Sequence, residues 1–219
     1  MSLKLLITNK NYSSWSVRAM LVLDHFGIPY ELVLGRVKSV EVTNEIATEW
    51  ITDWSGAGRV PVLRDGDLTV WESIAIIEYL ADKFPARPIW PADPRARSLA
   101  RAASAEMHAG FSNLRGEMPM NARRRYKDFS YSAETAADIA RIQHLWGDCL
   151  ARSGGPFLFG AFCAADAMFA PVISRFRTYG VAMTPVSAAY ADAVWELPAV
   201  KGWLTDAAAE QTIIAKYEL

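Results

Sequence analysis

Cysteine is scarce in this chain. Its 219 residues include two, Cys149 and Cys163, with thirteen residues between them. There is no Cys-x-x-Cys pair and no cluster with zinc spacing, so neither a disulfide framework nor a metal is expected. Both cysteines lie in apolar, helix-like surroundings and read as small buried hydrophobes. Long apolar runs are also missing, because charge interrupts them within about a dozen residues, too few to cross a bilayer. After the short apolar stretch Leu3–Ile7 come Asn9, Lys10 and Asn11 without a small-residue cleavage site, so the N-terminus reads as a strand and cytoplasm is the expected compartment. Charge of one sign is absent too. A net charge of −1 provides no field to attract nucleic acid or an acidic membrane, and neither is expected as a partner. What is present is 52% hydrophobic and 21% charged residues, a composition that suits an ordinary globular core.

The periodicities change along the chain. Leu3–Thr8 and Tyr30–Leu34 read as strands. Between them, Trp15–Phe26 is apolar on most faces and is stopped by Gly27 and Pro29, as a buried helix would be. Val40–Trp50 is a further helix candidate. Val62–Arg64 and Leu68–Trp71 flank Asp65-Gly66-Asp67, a hairpin signal. Glu72–Phe84 then sets Ser73, Ile77, Leu80 and Phe84 on one helical face. The order β-α-β-α-β-β-α predicts a small mixed sheet of the thioredoxin-like α/β class over residues 1–84. Pro85, Pro88, Pro91 and Pro94 recur every third residue and predict an extended linker over 85–94. Residues 95–219 read as all-helical: Arg95–Arg115, Ser132–Arg152, Ala164–Tyr179, and two helices punctuated by Pro185 and Pro198.

Two segments combine into a ligand site. Pro61 has no N–H to donate, so it belongs at a strand start or sheet edge. If Val60-Pro61 is cis, the N–H and C=O of Val60 turn from the sheet and can pair with a peptide-like ligand. Eleven residues on, strand Leu68–Trp71 runs into Glu72-Ser73 and a helix. The unpaired N–H groups of a helix start attract a carboxylate. Ser73 adds a hydroxyl there, and Glu72 can pair with an ammonium group.

These two segments, with Glu72-Ser73-Ile74-Ala75-Ile76-Ile77-Glu78-Tyr79-Leu80, resemble the soluble glutathione transferases. That resemblance implies a thioredoxin-like domain followed by a helical domain, and a cytoplasmic homodimer acting in detoxification. It also implies glutathione as cosubstrate. Val60 would hold its cysteinyl backbone and Glu72 and Ser73 its γ-glutamyl group, with Arg59 and Pro61 also glutathione-binding. Asn11-Tyr12-Ser13-Ser14-Trp15-Ser16-Val17-Arg18 resembles the zeta-like, serine-using branch, in which this joint activates the thiol. A thiol with pKa about 8.5 is only ~3% ionised at pH 7. Making the thiolate dominant takes roughly 2.7 kcal/mol of preferential stabilisation. A hydroxyl donor at a helix N-terminus can supply it. Ser14, then Ser13, are the catalytic candidates, and Tyr12 is a third hydroxyl. Asn11 stands where the branch has its leading serine.

The remaining signals are smaller. Tyr12, Trp15, Met107, Phe111 and Arg115 are expected to shape an electrophile pocket beside the glutathione sulfur. His108 reads as structural or surface-exposed, and Arg123-Arg124-Arg125 as a solvated loop. Of Arg175 and Arg177, on an otherwise apolar helix, one is expected in the cleft or in an ion pair. Cys163-Ala164-Ala165-Asp166 occupies the place of a capping box, with Cys163 a poor cap. The leading expectation is a glutathione transferase acting on a small hydrophobic electrophile. A glutathione-dependent isomerase of the maleylacetoacetate type and a non-catalytic binding or regulatory protein are the alternatives.

Overall fold

The computed structural model describes residues 2–35 and 49–219, with the side chain of Glu49 left aside. Strand β1 (Leu3–Ile7) lies at the centre of a four-stranded sheet ordered β2-β1-β3-β4. It runs parallel to β2 (Tyr30–Leu34) and antiparallel to β3 (Val62–Asp65), which forms a hairpin with β4 (Leu68–Trp71). Both faces of β1 are covered, which is why its sequence is apolar without alternation. Leu5 and Ile7 join the main core with helix α1 (Ser14–His25), whereas Leu6 packs on the opposite face with Ile51 and Val62. The hairpin turns at Gly66, whose φ of +62° suits a residue without Cβ. The sequence pattern anticipates all four strands. The helix expected over 40–50 lies mostly outside the described residues, which resume with α2 (Glu49–Thr52).

Helix α3 (Ser73–Lys83) buries Ser73, Ile76, Ile77 and Leu80 beneath the sheet. Residues 84–93 carry no helix or strand. The rest is helical: α4 (Pro94–Ala109), α5 (Ser112–Glu117), α6 (Ala133–Ser153), α7 (Ala164–Thr178), α8 (Pro185–Trp195) and α9 (Pro198–Ala209), followed by a single 3₁₀ turn, Ala215–Tyr217. Proline occupies the first turn of α4, α8 and α9, where its missing N–H costs nothing. Helix α7 is buried on all sides from Ala164 to Phe176, as the central helix of this region. It packs against α1 and α4, so the sheet layer and the helical layer share one continuous core.

One expected helix is two. The stretch 95–115 breaks at Gly110-Phe111, and Phe111 adopts a left-handed conformation at φ +57°. A Cβ on Gly110 would meet the Glu106 carbonyl oxygen at 2.8 Å, so glycine is required at the break. Arg115 therefore sits on α5, turned relative to the axis of α4.

Candidate functional site

Two adjoining clefts lie where the sheet region meets the helices. The smaller, about 330 Å³, is lined by Val60, Pro61, Trp71, Glu72, His108 and their neighbours. The larger, about 470 Å³, is lined among others by Asn9, Ser13, Ser14, Met120, Arg175 and Tyr217. Trp15, Arg59, Val60 and Arg115 belong to both, which makes the two clefts one elongated site.

At the smaller end the Val60–Pro61 peptide is cis. Val60 precedes β3, and among the described residues its N–H and C=O take part in no backbone hydrogen bond outside the sheet. Glu72 is the N-cap of α3 at φ +68°, an unusual conformation for a residue with a Cβ. Its carboxylate lies 3.6 Å from His108 Nε2. Burial holds the His108 imidazole below its ordinary pKa, so it is neutral at pH 7 and that contact is not then an ion pair. Ser73 is buried, and its hydroxyl has no partner among the described residues. A hydroxyl buried without a partner costs about 1–3 kcal/mol, and Ser73 itself lies beneath the surface, outside the lining of either cleft.

The larger end is organised by the joint between β1 and α1. Asn9 Oδ1 accepts from the N–H groups of Tyr12 (2.7 Å) and Ser13 (3.0 Å), folding the joint into a tight turn. Ser13 is the N-cap of α1, but its hydroxyl meets Ser16 Oγ at 2.7 Å and makes no capping bond to the backbone. Ser14 is buried, and its Oγ accepts from Arg175 Nη2 at 3.3 Å. Arg175 also donates from Nε to Met118 O (2.8 Å) and from Nη1 to Pro171 O (3.3 Å), and burial pulls its guanidinium down to about 10. Arg177, two residues on and so on another face of the helix, pairs with Asp192 at 2.5 Å. The two helix arginines therefore divide the two expected roles between them.

The aromatic floor is Trp15. Arg18 stacks on it at 4.2 Å, Arg115 lies over it at 5.3 Å, and His108 meets it edge-on at 5.1 Å. Arg18 is buried. It donates from Nε to Met168 O, and its two terminal nitrogens are unpartnered among the described residues. Burial, together with Arg175 and Arg115, holds its pKa well below the ordinary value. Three guanidiniums thus converge on this end of the site, and among the described residues none forms a salt bridge.

Several expected residues come together and others do not. Tyr12, Ser13, Ser14, Trp15, Arg59, Val60, Pro61, Glu72 and Arg115 line the site. Met107 is wholly buried in the core, on the inward face of α4, and does not reach it. Phe111 is likewise core, because the left-handed break turns its ring inward. The Tyr12 hydroxyl is already engaged with Glu218, with Arg123 Nη2 (2.8 Å) and with the Ile214 N–H (3.4 Å). Burial and the Glu218 bond raise its pKa, which leaves it unsuited to stabilise a second anion. Asn11 is turned away, to Asn121 Oδ1 and the Arg123 N–H, both at 3.1 Å, so it does not replace a thiol-facing serine. Asn9 and His108 enter the site without having been assigned there from sequence, whereas Arg175 takes the cleft role that was left open between it and Arg177. Asn9 carries a signal that could have found it, an Asn three residues before the aromatic of a strand-to-helix joint. His108 is brought in only by helix packing. Among the described residues no group of three or more His, Cys, Asp or Glu could hold a metal ion.

Residues 12–83 match the family model for the glutathione S-transferase N-terminal domain. The chain is 34% identical to the "Probable maleylacetoacetate isomerase" of Caenorhabditis elegans over 46% of its own length and 44% of that protein. It thus aligns with less than half of that relative. It is 25% identical to a stringent starvation protein A homolog of Haemophilus ducreyi, over 82% of this chain and 77% of that one. A Burkholderia glutathione transferase homolog solved with bound glutathione superposes with a TM-score of 0.72 at 25% identity. It covers 96% of this chain and 100% of the other.

Proposed function

We propose, from the premise that this chain belongs to the glutathione transferase family, that it binds glutathione along the elongated site and activates its sulfur for attack on a small electrophile. The observation that carries this is the continuity of the two clefts through Trp15, Arg59, Val60 and Arg115. One end offers an edge backbone and a helix start, complementary to a γ-linked peptide. The other offers serine hydroxyls and cations, complementary to a thiolate. The γ-glutamyl ammonium meets Glu72, its carboxylate meets the α3 N-terminus and Ser73, and the cysteinyl amide pairs with Val60. The sulfur then lies before the first turn of α1, with Ser14 the activating hydroxyl and Ser13 the second candidate. On a halogenated aromatic the thiolate forms the new C–S bond, and the halide leaves with the bonding pair. The protein contributes position and electrostatic stabilisation of sulfur.

This reading divides the chain into a glutathione-binding domain (1–84), a linker (85–94) and a helical domain (95–219), working as a cytoplasmic homodimer in detoxification. Titration calorimetry with glutathione is the first test. Saturable binding at micromolar to low millimolar levels is expected, and an absence of heat at millimolar glutathione overturns the proposal.

Arg115 favours a second reading. Its guanidinium faces both clefts and is bound only weakly, to the Phe111 and His108 carbonyls at 3.3 and 3.5 Å. A substrate carboxylate fits beside it, which suits a cis-enedioic acid isomerised by reversible addition of the thiolate to its double bond. Turnover of a cis-enedioic substrate, with none of a halogenated aromatic, selects the isomerase. The reverse pattern selects the transferase. Glutathione bound with no thiolate signal and no turnover of either selects a non-catalytic binding protein.

A further inference from the structure

We infer that Arg175 is a positioning residue for thiol ionisation: by donating to Ser14 Oγ it turns the Ser14 proton toward the cleft and fixes a cation behind the bound sulfur. The inference rests on the proposed glutathione site.

A serine hydroxyl has one proton to give and lone pairs that accept. The lone pair of Ser14 is engaged by Arg175 Nη2 at 3.3 Å, and no acceptor for its proton is present among the described residues. Ser14 is therefore a donor without an acceptor at the wall of a cleft. Ser13 is not equivalent, because its hydroxyl is already shared with Ser16 at 2.7 Å.

The geometry around Arg175 makes the arrangement stiff. Its Nε and Nη1 hold the carbonyls of Met118 and Pro171, which leaves the fork little freedom to leave Ser14. Buried charges are ordinarily paired, and a guanidinium is hardly ever deprotonated near neutral pH. This one is buried with no carboxylate among the described residues. The groups that face it are Arg115 from α5, Tyr179 from its own helix and Tyr217 from the C-terminal turn, with Arg18 from α1 close enough to perturb it electrostatically. Glu72 lies at the other end of the site, against His108. The missing anion at this end is supplied by the ligand: a thiolate accepts a hydrogen bond from the Ser14 hydroxyl, which keeps its proton, and relieves the mutual repulsion of the guanidiniums. On binding, the sulfur loses its proton to bulk water, the S–H pair stays on sulfur, and no bond of the protein breaks.

The test is the pH titration of the thiolate ultraviolet absorbance of bound glutathione in the parent protein, S14A, R175M, R175K and the double variant S14A/R175M. Circular dichroism checks that each is folded. The parent is expected to titrate below the free value of about 8.5. S14A and R175M should each raise the bound pKa by about 1 unit or more, and the double variant should raise it by less than their sum. R175K, which keeps the charge, should recover at least half of the shift, and it decides the matter if R175M does not fold. A pKa in R175M within about 0.2 units of the parent overturns the inference. So does weaker glutathione binding with an unmoved pKa, which marks a purely structural arginine. Parent protein that binds glutathione but titrates near the free value overturns this inference alone. Parent protein that binds none overturns the proposed function as well.

Discussion

Glu72 and Ser73 are held in the fold at a cost that the fold itself does not recover. Glu72 keeps φ +68° despite its Cβ, a conformation worth about 1–3 kcal/mol of strain in a non-glycine residue. Ser73 buries a hydroxyl that meets nothing among the described residues. Substitutions that lower this cost should therefore separate stability from affinity. Ser73→Ala is expected to leave the melting temperature unchanged or raise stability by up to about 1 kcal/mol, while glutathione affinity falls roughly 10-fold. Glu72→Gly exchanges strain for the ~1 kcal/mol entropic cost of glycine, so stability should change little. Its loss of the carboxylate should weaken binding by about 10- to 100-fold. Thermal melts paired with calorimetry check both. A fall in stability matching the fall in affinity would make these residues structural instead.

At the scale of elements, α7 shows how a start signal can be half present and still suffice. The Asp166 carboxylate accepts from the Cys163 N–H at 2.9 Å and the Leu158 N–H at 3.1 Å, so the acidic half of the capping box is in place although a thiol stands where a hydroxyl is usual. Burial nevertheless pushes Asp166 up to about 6, against 3.8 for an unburied carboxyl. Because its folded pKa lies above its unfolded one, the folded chain binds more protons between pH 4 and 6, and stability rises as pH falls through that window. A shift of about two units corresponds to roughly 3 kcal/mol at most. Asp166→Asn cannot titrate. The stability difference between parent and variant, from urea melts, should therefore move in the parent's favour by about 1–3 kcal/mol from pH 7 to pH 4.5. A difference independent of pH would show that Asp166 stays ionised throughout. The strands and most helix starts were legible because their signals are local: apolar runs, a hairpin turn at Asp65-Gly66-Asp67, and proline or serine at the start of a helix. The break between α4 and α5 was not, since Gly110-Phe111-Ser112 continues a helical hydrophobic pattern and only the close approach to Glu106 O demands glycine.

The whole molecule closes on its own site through its last residues, and this was the part least legible in sequence. Arg123-Arg124-Arg125 reads as a solvated loop because nothing nearby in the chain pairs with it. In the fold its partners are distant in the chain: Arg123 donates to Tyr12, 111 residues earlier, and, further along the chain, to Thr212 O at 3.1 Å and to Glu210 O, and Arg124 holds Glu218 at 2.6 Å. Asn121 adds bonds to Tyr217 O and Glu218, both at 3.0 Å. The Glu210 carboxylate accepts from the N–H groups of Lys10 (2.6 Å) and Asn11 (3.0 Å), drawing the same segment onto the β1–α1 joint. Tyr217, which lines the larger cleft, is thereby placed by interactions formed elsewhere. Removing one hub of this network should loosen one wall and leave the sheet untouched, because bonds to a charged group are worth about 1.5–3 kcal/mol each and are not additive within a network. Arg123→Ala is expected to cost about 2–3 kcal/mol in global stability. Hydrogen exchange should accelerate over residues 210–218 and at Tyr12, but not in β1, β3 or β4. Because the smaller cleft does not depend on this wall, glutathione affinity should hold within about 3-fold while discrimination among electrophiles falls. Unchanged exchange over 210–218 would show that the tail is held by its apolar contacts, with the arginines as solvated passengers.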